Sequence, residues 1–229
     1  ALDTNVLYLR LASSYLADVK GLSLAISRSV LCEIDEASRL EVGGRHLEKA
    51  RRLKPKMAAA LFVGAPSLKA RKAYVGSLER EYLKSRLKVY EYGSYRRGDT
   101  AILEDYRELS GMNIDLLILT SDEKLTKDAG SVGIQACRVE LPKAPDGVQL
   151  TAKNIASTIY ALAAYFSQVK LTSGINTVLV NTLWKGKQSS EWLDGVVELR
   201  WSPTKTLNDA AQRVKKIEQI EGPGIFIHK

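Results

Sequence analysis

Segments with the pattern of buried β-strands alternate with segments that have the pattern of helices through the first 141 residues. The clearest strand is DLLILTSD, a short apolar run at 115–122 that ends in polar turn residues. Residues 67–87 have apolar side chains at the spacing of an amphipathic helix. Strands that alternate with helices form parallel sheets with right-handed crossovers and helices on both faces. The sequence therefore predicts an α/β fold built as a parallel-sheet three-layer α/β/α sandwich.

The remaining elements of this region follow from the same patterns. LDTNVLYL predicts the end of a buried strand that runs into a turn, and because a strand normally needs about five residues, we expect residues upstream of Ala1 to be missing from this sequence. Ser29 and Asp99 have the side chains of helix N-caps. Further strands are predicted at 22–26, 87–92 and 134–141, and helices at 12–19, 29–40, 44–53 and from Asp99 to Gly111.

The pattern changes after Pro142, where KAPDG has the composition of a turn-rich linker. Beyond it we predict a helix at 151–169, β segments at 177–184 and 192–201, and a helix at 207–220. The sequence therefore predicts two domains, 1–141 and 148–229, the second a C-terminal α+β extension that positions substrate or mediates association. All three tryptophans lie in this extension, either as its core or as surfaces that stack on bases: Trp184, Trp192 and Trp201.

The composition excludes several classes of protein. Two cysteines, Cys32 and Cys137, and two histidines, His46 and His228, fit neither a disulfide framework nor a zinc site. The longest apolar stretch, 155–166, is well short of the roughly 20 residues that span a bilayer, and the N-terminus lacks the pattern of a signal peptide. We therefore expect a soluble, cytoplasmic protein without a membrane partner.

The positive charge is concentrated in one part of the chain. The formal net charge is +8, yet residues 39–97 hold 16 Lys and Arg against 5 Asp and Glu, so the remainder is slightly acidic. A basic surface beside an acidic site is typical of a metal-dependent enzyme that acts on a polyanion. The alternative is that the basic helices are solvated faces.

Four acidic residues occupy positions from which they can reach one crevice. Asp3 follows the first predicted strand, Glu33 lies in the first turn of a helix, Asp99 precedes another helix, and Asp122 follows the clearest strand. In parallel α/β sheets ligands bind beyond the carboxyl ends of the strands, and carboxylate oxygens are the ligands that Mg²⁺ and Mn²⁺ prefer. Singly, each acid also has a structural explanation as a cap, a turn residue or a partner of the helix dipole.

Taken together and in this order, the acidic motifs resemble those of the PIN domain family of nucleases. The resemblance covers about residues 1–141. It depends on LDTN at Leu2–Asn5, SVLCEID with Glu33, GDTAIL with Asp99, and LILTSD, which ends at Asp122. The chain is longer than the minimal toxins of that family and lacks the paired C-terminal cysteines of its zinc-ribbon members. These differences argue against a toxin and against the ribosome-maturation branch.

The resemblance implies a site and a reaction. Asp3, Glu33, Asp99 and Asp122 would be the metal ligands, Asn5 would support Asp3, and Thr120 matches the hydroxyl residue before the last acid. The implied activity is that of a divalent-metal-dependent endoribonuclease, which hydrolyses phosphodiester bonds of single-stranded RNA with Mg²⁺ or Mn²⁺ as its cofactor. Two alternatives stay open: a non-catalytic RNA-binding or assembly module that keeps the fold, and a structure-specific DNA nuclease.

Two sets of residues are candidates for binding RNA. Tyr95, Arg96 and Arg97 immediately precede Asp99 and offer an aromatic face and two guanidinium groups for unstacked bases and phosphates. The second set, in the basic helix, is Arg51, Arg52 and Lys54. A homodimer, and a protein partner bound through the C-terminal extension, are left open by the sequence.

Overall fold

The structure, a computed structural model, describes residues 1–140, 151–183, 195–221 and 226–227. Its internal contacts divide the chain into two units. The first consists of Ala1–Leu40 and Lys69–Asp146, and the second of Glu41–Leu68 and Gly147–Lys229. This division differs from the predicted domains because residues 41–68 group with the C-terminal part. The predicted linker at 143–147 lies outside the described residues.

The strands of the first unit pair in parallel, as the alternating pattern predicts. Strand β1 pairs with β2, and β3 pairs with β4. The registers match Ala25 with Tyr90 and Leu119 with Cys137. Their bounds are Ser23–Ser27 for β1, Lys88–Tyr92 for β2, Leu117–Thr120 for β3 and Gln135–Arg138 for β4.

Leu2 joins the two strand pairs. It forms parallel bridges with Ile26 of β1 and with Leu119 of β3. Its N–H donates to the carbonyl of Ala25 at 3.0 Å, and the N–H of Asp3 donates to the carbonyl of Leu119, also at 3.0 Å. The chain therefore leaves the sheet between β1 and β3, and Asp3 is the first residue beyond that point.

Helices connect these strands. They are numbered in chain order, and α4 and α5 belong to the second unit. The bounds in this unit are Thr4–Tyr8 for α1, Leu11–Leu16 for α2, Arg28–Ser38 for α3, Leu68–Arg86 for α6, Asp99–Ser110 for α7 and Glu123–Ser131 for α8. The unit is mixed α/β with short strands, and the three-layer sandwich stays a prediction. In the described parts of the chain, every helix is too short or too polar to cross a bilayer.

The predicted helix starts need three corrections. LDTN forms the start of α1 rather than a turn, because the Asp3 side chain caps the helix by accepting from the Thr4 N–H. Helix α3 is capped by Ser27, whose hydroxyl accepts from the N–H of Ser29 at 2.9 Å. Gly98 occupies the cap position of α7, so Asp99 lies in the first turn.

The core of the first unit lies between the sheet and its helices. One close contact constrains the sequence of α6, since a Cβ at Gly76 would lie 3.0 Å from a ring carbon of Tyr8 and 3.6 Å from Ile34. Glycine in a helix costs about 1 kcal/mol relative to alanine. It is accommodated here because it lets the Tyr8 ring pack closely. The largest fully buried side chains include Leu2, Leu7, Ile26, Leu83, Ile102, Tyr106 and Ile118.

The second unit contains a sheet of strand order β5-β6-β7-β8 with α9 packed against β5 and β6. The helix predicted at 151–169 ends earlier, because Ser167 adopts a left-handed conformation with φ of 73°; a strand that the sequence did not predict then begins. Trp184 and Trp192 lie outside the described residues. The bounds are Gly44–Leu53 for α4, Pro55–Leu61 for α5, Ala152–Phe166 for α9, Gln168–Ser173 for β5, Asn176–Asn181 for β6, Glu198–Trp201 for β7, Lys205–Glu221 for α10 and Phe226–Ile227 for β8.

Candidate functional site

Four carboxylates that are far apart in sequence line one cavity of about 170 Å³ in the first unit: Asp3, Glu33, Asp99 and Asp122. We call this cavity the acid pocket. Asp3 follows Leu2 between β1 and β3, and Asp122 lies two residues beyond β3. The carboxyl ends of the parallel strands thus bring these two acids together. The other residues that line the pocket are Thr4, Asn5, Tyr8, Lys69 and Leu125.

Asp3 is buried, with 3% of its surface exposed, at the base of the pocket. Its Oδ1 accepts from the Thr4 N–H at 2.6 Å. Its Oδ2 accepts from the Thr120 hydroxyl at 2.8 Å and from the Asn5 amide at 3.4 Å. Burial raises the pKa of Asp3 despite these hydrogen bonds. The sequence-predicted supports Asn5 and Thr120 therefore both contact the carboxylate that they were expected to hold.

Glu33 faces the same pocket from α3. It is the sixth residue of α3, so its predicted place in the first turn is wrong and the helix dipole does not explain it. Its Oε2 accepts from the Thr4 hydroxyl at 2.7 Å. Burial raises the pKa of Glu33, and although the Thr4 hydrogen bond opposes this shift, the negative charges of Asp3 and Asp99 add to it. The pocket therefore concentrates negative charge that its own hydrogen bonds do not fully compensate.

Asp122 combines two roles. Its Oδ1 accepts from the backbone N–H groups of Lys124 at 2.7 Å and Leu125 at 3.3 Å, which caps α8. Its own N–H donates to the Thr120 hydroxyl at 2.9 Å, so Thr120 links Asp122 to Asp3. The Oδ2 atom of Asp122 has no hydrogen bond to another described residue. The cap thus fixes the side chain while one oxygen remains for a ligand.

Asp99 is the more exposed member of the set. Its Oδ2 lies 3.8 Å from the ammonium of Lys124, whose side chain is 73% exposed. An ion pair of this length between exposed groups contributes little to stability. Lys124 is therefore a weak counterion that a bound cation would readily replace.

The donor set of the acid pocket fits a hard divalent cation. Its charged oxygens all come from carboxylates, and its described lining contains neither histidine nor cysteine. Among the described residues, no three His, Cys, Asp or Glu side chains are close enough to hold an ion as they stand. Mg²⁺ keeps several waters and commonly binds through one or two carboxylates, so it does not require such a group. Burial raises the pKa values of Asp3 and Glu33, and a nearby positive charge would favour their ionised forms.

Tyr8 and Lys69 also line the pocket, and sequence patterns did not identify them. Tyr8 lies one turn after Thr4 in α1, so the two side chains share a helix face. The spacing could have identified Tyr8 only if LDTN had been predicted to begin a helix. Burial raises the pKa of Tyr8 to about 12, with smaller contributions from the charges of Glu33 and Asp3. Lys69 comes from α6, more than sixty residues later, and no local pattern connects it with the acids.

The residues predicted to bind RNA beside Asp99 are partly engaged in ion pairs. Tyr95 is 68% exposed, and the Arg28 guanidinium lies 5.9 Å from its ring centroid. Arg97 pairs with Glu36 at 2.5 Å. Arg96 pairs with Glu104 at 2.5 Å and with Asp105 at 2.8 Å. Tyr95 is thus open to a ligand, whereas the two arginines would have to share or exchange their carboxylate partners.

The basic residues of the other predicted set lie in the second unit. Arg51 and Arg52 are in the last turn of α4, Lys54 follows it, and all three are exposed. None of the three forms an ion pair with another described residue. Their charges are therefore available to a polyanion.

Comparisons with known proteins do not identify a family. No family model matches the chain, and no curated protein matches it significantly. A solved structure, a domain of a functionally unknown protein from Methanocaldococcus jannaschii DSM 2661, is similar at a TM-score of 0.40 and 17% sequence identity. The match covers 66% of this chain and 96% of that one.

Proposed function

We propose that this protein is a divalent-metal-dependent endoribonuclease of the PIN type, acting on single-stranded RNA with Mg²⁺ or Mn²⁺. One observation carries the proposal: four acids spread over 120 residues of sequence line a single cavity. Capping, turn formation and dipole effects explain individual acids but not their assembly in one place. A shared ligand explains the set.

The negative charge of the acid pocket supports the proposal that a metal ion binds there. Burial raises the pKa values of Asp3 and Glu33, and the negative charges of Asp3 and Asp99 add to the shift of Glu33, so a cation would stabilise the ionised carboxylates. Asp3, Glu33, Asp99 and Asp122 would hold the cation. When bound, such an ion lowers the pKa of a coordinated water and neutralises charge that develops on a phosphate.

The residues around the acids have roles that follow from their contacts. Thr120 and Asn5 orient Asp3, and Thr4 orients Glu33, through the hydrogen bonds given above. Such supporting contacts commonly affect metal affinity or activity by 10- to 100-fold. The α8 cap holds Asp122 through Oδ1, which leaves Oδ2 available to a ligand.

RNA binding would draw on Tyr95 and on the basic helix α4. An exposed aromatic ring next to an arginine stacks on an unpaired base of any sequence. Arg51, Arg52 and Lys54 would contact phosphates, which makes affinity depend on salt concentration. Arg96 and Arg97 would contribute only as far as they share or exchange their carboxylate partners.

The test is cleavage of a labelled single-stranded RNA by the wild type and by Asp122→Asn. Asparagine caps helices as well as aspartate does, so the variant should keep its fold while losing one ligand charge. We expect activity to require Mn²⁺ or Mg²⁺, to disappear on chelation, and to fall by about 100-fold or more in Asp122→Asn.

A matched control is Asp18→Asn, which changes an exposed aspartate outside the pocket and should leave cleavage unchanged. Retained activity in Asp122→Asn would contradict the proposal. Cleavage of flapped DNA in preference to RNA would favour the DNA nuclease. Metal-independent RNA binding without cleavage would favour the non-catalytic module.

A further inference from the structure

A second cavity, of about 560 Å³, lies in the first unit next to the loop that follows β2. The acid pocket does not share any of its described lining residues. The wall combines two arginines, two glutamates and an aromatic ring with the loop backbone: Arg28, Glu91, Tyr92, Gly93, Ser94, Arg96 and Glu108. Donors and acceptors of both charges therefore face the same space.

The two arginines keep donors available at this wall. Arg28 is exposed and uses one terminal nitrogen in a 3.3 Å hydrogen bond to the carbonyl of Gly93. Arg96 directs its terminal nitrogens to Glu104 and Asp105, while its Nε is buried and has no hydrogen-bond partner among the described residues. The Nε atom is closed to a ligand, but each terminal nitrogen carries two N–H groups, and one hydrogen bond from each leaves a second donor available.

The two glutamates differ in their engagement. Oε1 of Glu91 accepts from Arg80 at 2.5 Å and from Lys84 at 3.4 Å. Glu108 is exposed on α7 and forms no ion pair with another described residue. Glu108 is therefore the carboxylate that can accept hydrogen bonds from a ligand.

The mixed charge of the wall indicates which part of a nucleotide fits. A phosphate group would gain from the arginines but would be repelled by both glutamates. A nucleobase is neutral and can use both kinds of group. Guanine presents O6 and N7 acceptors, which arginine recognises, beside N–H donors at N1 and N2, which a carboxylate accepts. Adenine, cytosine and uracil do not combine two adjacent acceptors with two adjacent donors.

The second cavity is connected to the acid pocket by two elements. Arg28 begins α3, and Glu33 lies five residues further along, which is about 7.5 Å of helix rise. Ser94 and Arg96 belong to the loop that leads directly to Asp99. A strand of RNA whose phosphate lies at the acids could therefore place a nearby base in the second cavity.

We propose that the second cavity binds a guanine base of the single-stranded RNA substrate, an inference that rests on the proposed function. Arg28 and Arg96 donate to the O6 and N7 edge, and Glu108 accepts from N1–H and the N2 amino group. Tyr92 supplies a half-buried ring at the wall. The cavity would thus select where in an RNA the acid pocket cuts.

The test measures binding by the Asp122→Asn protein, which separates recognition from cleavage. The probe is a labelled oligouridine that carries one guanosine, compared with the same strand carrying inosine or adenosine. Inosine lacks only the N2 amino group, so the guanosine strand should bind about 3- to 10-fold more tightly than the inosine strand. Adenosine should bind no better than uridine.

Glu108→Ala in this background removes the acceptor and should abolish the difference between guanosine and inosine, and Arg28→Gln should weaken the binding of both strands. Matched controls on exposed positions outside the cavity, Glu140→Ala and Arg107→Gln, should leave the preference intact. Equal binding of all strands, or a preference that survives Glu108→Ala, would overturn the guanine site. The binding test decides only whether the guanine site exists. The cleavage assay decides separately whether the protein is a nuclease, because retained activity in Asp122→Asn would refute that proposal.

Discussion

Asp105 and Asp3 are both buried carboxylates of the first unit, but they are compensated differently. Asp105 is completely buried and accepts from the hydroxyls of Ser27 and Ser29 and, at 2.8 Å, from Arg96. Burial alone would raise the pKa of Asp105. The hydrogen bonds from Ser27, Arg96 and Ser29 outweigh burial and hold the pKa below its ordinary value.

Asp3 and Glu33 of the acid pocket lack such compensation. Hydrogen bonds reach Asp3 and Glu33 as well, but none comes from an arginine or a lysine, and the pKa of both stays raised. The difference separates a carboxylate that the fold itself compensates from carboxylates whose ionised form a bound cation would stabilise. Asp105 links the N-cap of α3 to the loop before α7, so it also holds the elements that carry Glu33 and Asp99.

The largest expected effect comes from removing the compensated carboxylate. Asp105→Ala should lower the free energy of unfolding by about 3 to 5 kcal/mol, because it removes the acceptor of the buried Ser27 hydroxyl and one acceptor each of Ser29 and Arg96. Asp3→Asn, in contrast, should leave stability unchanged or slightly higher. Urea denaturation of both variants checks the contrast. Equal losses would mean that Asp3 is also a structural residue.

Metal binding should produce the next largest effect, and only in the acid pocket. At about 100 times its Kd, Mn²⁺ should stabilise the protein by about 2.7 kcal/mol through ligand linkage. The rise in Tm, measured by calorimetry with and without chelator, should shrink strongly in Asp3→Asn and persist in Asp18→Asn. An equal rise in all three proteins would place the ion elsewhere.

The pH dependence should be smaller, on the order of 1 kcal/mol. For Asp3 and Glu33 the folded pKa lies above the ordinary values of 3.8 and 4.5, so the folded state binds more protons in that window. Their contribution to the stability of the metal-free protein should therefore rise as pH falls toward these values. Asp105 acts in the opposite direction, since its folded pKa is lowered.

The difference in stability between wild type and Asp3→Asn isolates the Asp3 contribution from these opposing groups. The variant should be the more stable protein at neutral pH, and the difference should disappear on acidification. Saturating Mn²⁺ should reverse the sign at neutral pH. A difference that does not change with pH would show that Asp3 has an ordinary pKa.

Much of the secondary structure could be predicted from local patterns. The strand at β3 and the helices α4 and α6 are confirmed within a few residues, because apolar periodicity and caps act over one or two turns. Ser167 and the unpredicted β5 show the limit, since a left-handed serine carries no distinctive sequence signal. Arg51, Arg52 and Lys54 are exposed, as the polar, basic composition of their predicted helix indicated.

The sequence by itself determined which acids follow strands, and parallel pairing then brought Asp3 and Asp122 to the same edge. Only the tertiary structure decided what surrounds them. Tyr8 reaches the pocket because Gly76 makes room for its ring, and Lys69 reaches it from a distant helix. Arg96 is paired because Asp105 is buried beneath it. Such contacts join residues distant in sequence, and their energies depend on burial and charge that no local pattern encodes.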